Sequence, residues 1–221
     1  MTSRSFRAPS ALIFDMDGVL VDSEPLHKRA KEEAFRQFGI VLPESVYDSY
    51  KGRPDATMLP EVLGERGCSA EVVADVSRLK REIFESIKHE LTPVPGAAEF
   101  VRWAASRYRV ALATSATSRN RQVALETVQI GHLFEAIVDS SQHAHPKPDP
   151  EVFQVTMRML GLTAPDCWVI EDSVNGLRAA KAAGCVAAGI TTTFNSATLS
   201  AAGADLVVGS FGELRSELER L

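Results

Sequence analysis

Two spacings of apolar residues divide this chain. Short unbroken apolar runs recur along it: ALIF at 11–14, RVALATS from 109, LFEAIVDSS from 133, CWVIEDS from 167, CVAAGITT from 185 and ADLVVGS from 204. A continuous run bounded by turn residues fits a strand buried on both faces. Between these runs lie stretches with apolar residues at helical spacing: PGAAEFVRWAASR, SRNRQVALETVQIG, EVFQVTMRMLG, VNGLRAAKAAG and FGELRSELERL. Strands alternating with helices predict an α/β fold with a parallel sheet covered on both faces.

The alternation is interrupted once. After Gly18 the chain enters a helix that Asp22 or Ser23 can cap, with Glu24 and Pro25 in its first turn. Leu26, Ala30, Ala34 and Phe38 form its apolar stripe, and Gly39 is a natural stop. PESVYDSYKG, ATMLPEVLGERG and AEVVADVSRLKREIFESIKHE continue as helices, with a kink or break expected at Pro60. The pattern predicts a helical domain inserted at residues 23–89, dividing a core domain of residues 1–22 and 90–221.

Composition narrows the partners. With 45% hydrophobic residues, 221 residues can bury a large core. A net charge of −5 and no basic patch argue against nucleic acid. No apolar run reaches the roughly 18–20 residues that span a bilayer, so no membrane partner is expected. The first ten residues lack an apolar signal region and read as a frayed end. Cys68, Cys167 and Cys185 show no paired spacing, as in a cytoplasmic protein with reduced thiols.

The chemistry sits where strands end. The first run passes into Asp15, Asp17 and Gly18; another ends in Thr114 and Ser115; a proline-rich loop carries Lys147; a further strand ends in Glu171 and Asp172. Ligands of open α/β sheets bind outside the carboxyl ends of the strands. Each motif has a plainer reading. Asp17-Gly18 between apolar runs also signals a β-hairpin. Thr114, Ser115, Glu171 and Asp172 could cap the helices that follow, and Lys147 could be a solvated loop lysine. Together they match phosphoryl transfer: a carboxylate nucleophile, hard oxygen ligands for Mg²⁺, hydroxyls for phosphoryl oxygens and a lysine to offset charge.

These motifs resemble those of the haloacid dehalogenase-like superfamily. FDMDGVLVDSE is similar to its first motif, TS at 114–115 to its second, Lys147 in KPDPEVF to its third and EDS at 171–173 to its fourth. The likeness covers about residues 11–210. It implies a doubly wound, Rossmann-like parallel-sheet core with an inserted helical-bundle cap, the subclass I arrangement of β-phosphoglucomutase and sugar-phosphate phosphatases. It implies Asp15 as nucleophile and Asp17 as general acid/base. Mg²⁺ would be held by Asp15, the Asp17 carbonyl and Asp172, with Glu171 beside it. Asp17, absent from true dehalogenases of that superfamily, points to phosphoryl transfer. In the cap, the resemblance makes His27, Lys51, Arg53 and Lys80 substrate-side candidates. Arg53 follows Gly52 directly, whereas relatives place an arginine three positions after the glycine, where this chain has Asp55. The expected function is a monomeric, Mg²⁺-dependent phosphatase forming an aspartyl-phosphate from a small phosphorylated metabolite, most plausibly a sugar phosphate. The alternatives are a phosphomutase and a catalytically silent binding protein.

Overall fold

The computed structural model describes residues 6–50 and 55–221, apart from the Asp48 side chain. The described chain divides into two compact units, Met1–Asp22 with Thr92–Leu221, and Ser23–Leu91.

The first unit is built on a six-stranded sheet. Its strands are β1 (Ala11–Phe14), β4 (Arg109–Ala113), β5 (Ala136–Val138), β6 (Cys167–Glu171), β7 (Val186–Ile190) and β8 (Leu206–Val208), in the order β5-β4-β1-β6-β7-β8. All neighbouring pairs are parallel. The central strand is buried throughout, so its alternation is absent for the reason the sequence suggests: both faces are covered. Phe14 lies opposite Leu112 on one side and Ile170 on the other. With both its edges taken by parallel partners, β1 cannot be one arm of a hairpin. From β1 the chain steps outward through β4 and β5, then returns to the other side of β1 with β6 and proceeds to β7 and β8. That reversal beside β1 is a topological switch point, where the connecting loops part and leave a crevice at the strands' carboxyl ends.

Helices α5 (Ala97–Ala105), α6 (Ser118–Val128), α7 (Glu151–Leu160), α8 (Val174–Ala182) and α10 (Phe211–Leu218) follow the periodic stretches read from the sequence. Two features were not legible there. A short pair, β2 (Val21–Asp22) and β3 (Thr92–Pro93), runs antiparallel where the chain leaves this unit and re-enters it. Helix α9 (Ser196–Ala201) has only six residues and starts at Asn195, whose side chain accepts from the Thr198 N–H at 2.9 Å. Residues 6–10 are also better anchored than a frayed end. Phe6 meets the Trp168 ring edge-on at 5.3 Å, and the Ser10 N–H donates to the Asp166 carbonyl.

The second unit comprises α1 (Glu24–Gln37), α2 (Glu44–Ser49), α3 (Asp55–Gly64) and α4 (Ala70–Ile87). Phe35, Leu42, Met58, Leu59, Val62, Leu63 and Val76 form its apolar centre. Phe38 does not join the stripe expected for α1. It lies at the helix C-cap, partly exposed, and Phe35 takes the buried place one turn earlier. Helix α3 runs unbroken through Pro60, so the break expected there does not occur. Among the described residues of this unit, Lys31, Lys80 and Lys88 are buried. No described helix is long and apolar enough to cross a membrane.

Candidate active site

Asp15 is the first residue beyond β1, and its N–H still donates to the Ile170 carbonyl at 3.0 Å. The ladder therefore fixes its backbone while its side chain projects from the sheet's carboxyl edge. Glu171 ends the neighbouring strand, and Asp172 follows it. Lys147 reaches the same place from the proline-rich loop. Glu151, at the start of α7, organises that loop by accepting from the Ala144 and His145 N–H groups at 2.9 and 2.8 Å.

Lys147 Nζ donates to Asp15 Oδ1 at 2.5 Å, Glu171 Oε1 at 2.7 Å and the Ala113 carbonyl at 3.2 Å. These three acceptors match the three protons of an ammonium. The Phe153 ring lies 4.8 Å from the same nitrogen. Lys147 is therefore no solvated loop residue. Burial works against its charge, but the Asp15 and Glu171 carboxylates outweigh it and raise its pKa above the ordinary lysine value.

The acids outnumber this one cation, and their titration reflects it. Burial, then repulsion from Glu171 and Asp17, lifts Asp15 to about 7 despite Lys147. Asp172 is lifted well above the usual carboxylate range by burial, Glu171 and Asp15, against a hydrogen bond from Thr193. Such crowding suits a site that awaits positive charge.

Asp15, Glu171 and Asp172 each bring a ligand atom within 4.8 Å of the other two. An all-oxygen set fits Mg²⁺. The set is not equivalent, however. Glu171 has Lys147 on Oε1, while its Oε2 accepts from the Asp172 and Ser173 N–H groups and the Ser173 hydroxyl, at 3.1, 3.1 and 2.9 Å. That saturation makes Glu171 a brace for Lys147 and the loop, leaving Asp15 and Asp172 as the available ligands. Ser173 doubles as the N-cap of α8, accepting from the Gly176 N–H at 3.0 Å. The cap and the site thus share residues.

Gly18 explains why the acidic motif carries a glycine. Its φ is +72°, and a Cβ there would stand 1.9 Å from Asp172 Oδ2 and 2.9 Å from Thr193 Oγ1. No other residue permits this approach. Asp17 lies one residue earlier, half-buried, and bridges to Val21. Thr114 is buried; its hydroxyl oxygen accepts from the Ala116 N–H at 3.0 Å, leaving its proton free to donate elsewhere. Ser115 beside it is exposed.

The helical unit holds a second polar cluster. Lys80 Nζ donates to Asp55 Oδ2 at 2.5 Å and to His27 Nδ1 at 3.0 Å, and Lys31 Nζ lies 3.7 Å from Asp55 Oδ1. Accepting at Nδ1 places the proton of a neutral His27 on Nε2. Its ring stacks on Phe84 at 4.1 Å. Burial and then Lys80 lower the His27 pKa to about 3. His27 and Lys80 are thus brought together, and Asp55 is the partner that the sequence reading noticed but did not place. Lys51 and Arg53 lie outside the described residues.

The family model for haloacid dehalogenase-like hydrolases matches residues 12–190. A phosphorylated carbohydrates phosphatase of Thermotoga maritima is 33% identical over 79% of this chain and 81% of its own length. The β-phosphoglucomutase of Bacillus subtilis is 30% identical over 94% of this chain and 92% of that protein. Among solved structures, a hydrolase of this family from Deinococcus radiodurans, with bound phosphate and sodium, superposes with a TM-score of 0.79. It is 27% identical and covers 96% of both chains.

Proposed function

Because this chain belongs to the haloacid dehalogenase-like hydrolase family, we propose that it is a Mg²⁺-dependent phosphatase that hydrolyses a small sugar phosphate through an aspartyl-phosphate. The carrying observation is the buried cluster in which one ammonium, Lys147, is shared by Asp15 and Glu171 beside Asp172. Lys147 orients Asp15 through Oδ1, so Oδ2 is the attacking oxygen. An Asp15 O–P bond forms as the ester P–O bond breaks. Asp17, protonated, gives its proton to the departing sugar oxygen. As a carboxylate it then takes a proton from water, whose oxygen attacks phosphorus and releases phosphate and free Asp15. Thr114 and Ser115 donate to the phosphoryl oxygens. Asp15, Asp172 and the Asp17 carbonyl would hold Mg²⁺, whose charge would offset that of the transferred group. The helical unit Ser23–Leu91, which ends two residues later than the sequence pattern predicts, serves as the cap that selects the leaving group, with His27 and Lys80 among its substrate-side groups.

The longer match to a β-phosphoglucomutase favours a second reading, in which a sugar-phosphate hydroxyl replaces water in the second step. The pairing of Lys80 with Asp55 supports hydrolysis, because a neutralised lysine is a poor clamp for a second phosphate. Supplying β-glucose 1-phosphate with catalytic glucose 1,6-bisphosphate separates the two. Release of inorganic phosphate without accumulating isomer fits the phosphatase; glucose 6-phosphate forming faster than phosphate assigns the mutase.

A further inference from the structure

A glycine inside a helix weakens it relative to alanine, so its presence there calls for a reason. Gly176 is buried in the first turn of α8, and its φ is not positive, so the backbone itself does not demand glycine. The reason is space. A Cβ on Gly176 would stand 1.8 Å from Glu171 Oε1, 1.9 Å from Cδ and 2.2 Å from Oε2. The Glu171 carboxylate therefore occupies the volume that any side chain at position 176 would take. We propose that Gly176 is a positioning residue: its bare Cα is the seat of the Glu171 carboxylate, and through Glu171 it fixes Lys147 against Asp15. The proposal rests on the nucleophile assigned above and concerns a residue outside the strand-end motifs.

Three observations support it. The far end of a flexible side chain ordinarily swings aside for a methyl group, but this carboxylate is held. Its Oε1 accepts from Lys147 at 2.7 Å, and its Oε2 accepts from the Asp172 and Ser173 N–H groups at 3.1 Å each and from the Ser173 hydroxyl at 2.9 Å. Glu171 is 1% exposed, so a displaced carboxylate would find no water in exchange for those bonds. Nor can the helix withdraw. The Gly176 N–H donates to the Ser173 hydroxyl oxygen at 3.0 Å, so one hydroxyl ties seat and occupant together, and Leu177, Ala179 and Ala180 of the same helix are packed in the core. Finally, the consequence reaches the nucleophile. Lys147 divides its three protons among Asp15, Glu171 and the Ala113 carbonyl. Displacing Glu171 frees the ammonium to turn, and Asp15 loses the contact that fixes its orientation.

The test is a double-mutant cycle of Gly176→Ala and Glu171→Ala, read by kcat for p-nitrophenyl phosphate at saturating Mg²⁺ and by the urea midpoint of unfolding. Misplacing reacting groups by about 1 Å can cost about 10²-fold; Gly176 acts at one remove, so Gly176→Ala should lower kcat about tenfold with KM within about threefold. In the Glu171→Ala background, slower in itself, the same substitution should change kcat by less than about twofold, because nothing is left to displace. The midpoint should change in opposite directions. Gly176→Ala should lower it in wild type and raise it in Glu171→Ala, where alanine only improves the helix. A glycine needed for helix packing alone would lower the midpoint in both backgrounds and leave the kcat of the folded protein unchanged. Undiminished kcat in Gly176→Ala, or equal losses in both backgrounds, overturns the proposal while leaving the phosphatase reading intact. If Gly176→Ala does not fold, the double variant decides: folding like Glu171→Ala supports the seat, and failing to fold overturns it. A wild type that hydrolyses no phosphate ester overturns the phosphatase reading, and the two midpoints still decide whether Glu171 is seated on Gly176.

Discussion

The protein holds two buried polar clusters made from the same kinds of residue in opposite proportion. At the sheet edge, Asp15, Glu171 and Asp172 gather around one ammonium, Lys147. In the helical unit, Lys31 and Lys80 gather around one carboxylate, Asp55, with His27 accepting from Lys80. Burial raises the pKa of any carboxylate, yet the two clusters respond differently. Asp15 is lifted to about 7, because other acids reinforce burial and a single lysine cannot cancel them. Asp55 is held below the usual range, because Lys80, then Lys31, overcomes burial. Burial raises both carboxylates; the surrounding acids add to it at Asp15, and the surrounding lysines outweigh it at Asp55. The acid-rich cluster is incomplete without added positive charge. In the base-rich cluster Lys31 and Lys80 share Asp55, and Lys80 also donates to a neutral imidazole, which it orients.

Removing an acid from the first cluster should have the largest effect. Asp15→Asn should lower turnover by about 10⁴-fold or more, beyond the loss of proton-transfer help alone, while the fold persists. Steady-state hydrolysis and circular dichroism check both halves. Asp17→Asn should lower turnover by about 10²–10⁴-fold yet keep Mg²⁺ affinity, because its assigned contact is a backbone carbonyl; calorimetry alongside the assay tests that separation. Removing a base from the second cluster should act on selection. Lys80→Ala should lower kcat/KM for a sugar phosphate several-fold more than for p-nitrophenyl phosphate, which has little remote binding energy to lose. Equal losses would move Lys80 into the core mechanism or the folding of its unit.

The smallest effect should be on stability against pH, and its sign should differ between the clusters. The Asp15 pKa is about 7 when folded, against an ordinary value near 3.8. Between those values the metal-free folded protein keeps a proton that the unfolded chain has released. Stability from this group therefore falls as pH rises from about 4 to about 7. Asp15→Asn should gain on metal-free wild type across that window and show no advantage below it. Asp55 has the opposite sign: its pKa is depressed, so its contribution is present at neutral pH and lost on acidification. Asp55→Asn should then be destabilised at neutral pH and approach wild type in acid. Thermal unfolding in EDTA over a pH series measures both.

The acid-rich cluster was largely legible in the sequence because strand order and strand ends do most of the placing. Once Ala11–Phe14 is read as a central strand, Asp15 must lie at its carboxyl end, and the runs ending in Thr114 and Glu171 bring their own residues to the same edge. What the sequence hid was the division of labour. Nothing in the spacing of Glu171 and Asp172 says that the first is saturated by Lys147, Ser173 and two backbone N–H groups while the second is open. Gly176 was hidden in a helical pattern, where periodicity does not tell which neighbour needs its empty side. The base-rich cluster was harder still. His27, Asp55 and Lys80 come from three helices, and an amphipathic pattern marks faces rather than partners. The same limit explains Phe38, which kept the spacing of the α1 stripe but fell beyond the last helical turn. Short elements such as α9 and the β2–β3 pair are set by caps and tertiary pairing, too brief for a periodicity to register.

The central claim is that Asp15 becomes covalently phosphorylated, and it can be tested directly. Asp17→Asn should form the aspartyl-phosphate and release it slowly, so incubation with substrate and Mg²⁺, acid quenching and borohydride reduction should convert the trapped residue to homoserine. Peptide mass spectrometry should then find homoserine at position 15, with none when EDTA replaces Mg²⁺ or when Asp15→Asn is introduced as well. Homoserine at another acid, or hydrolysis by wild type with no trapped residue at position 15 in either protein, would contradict the account.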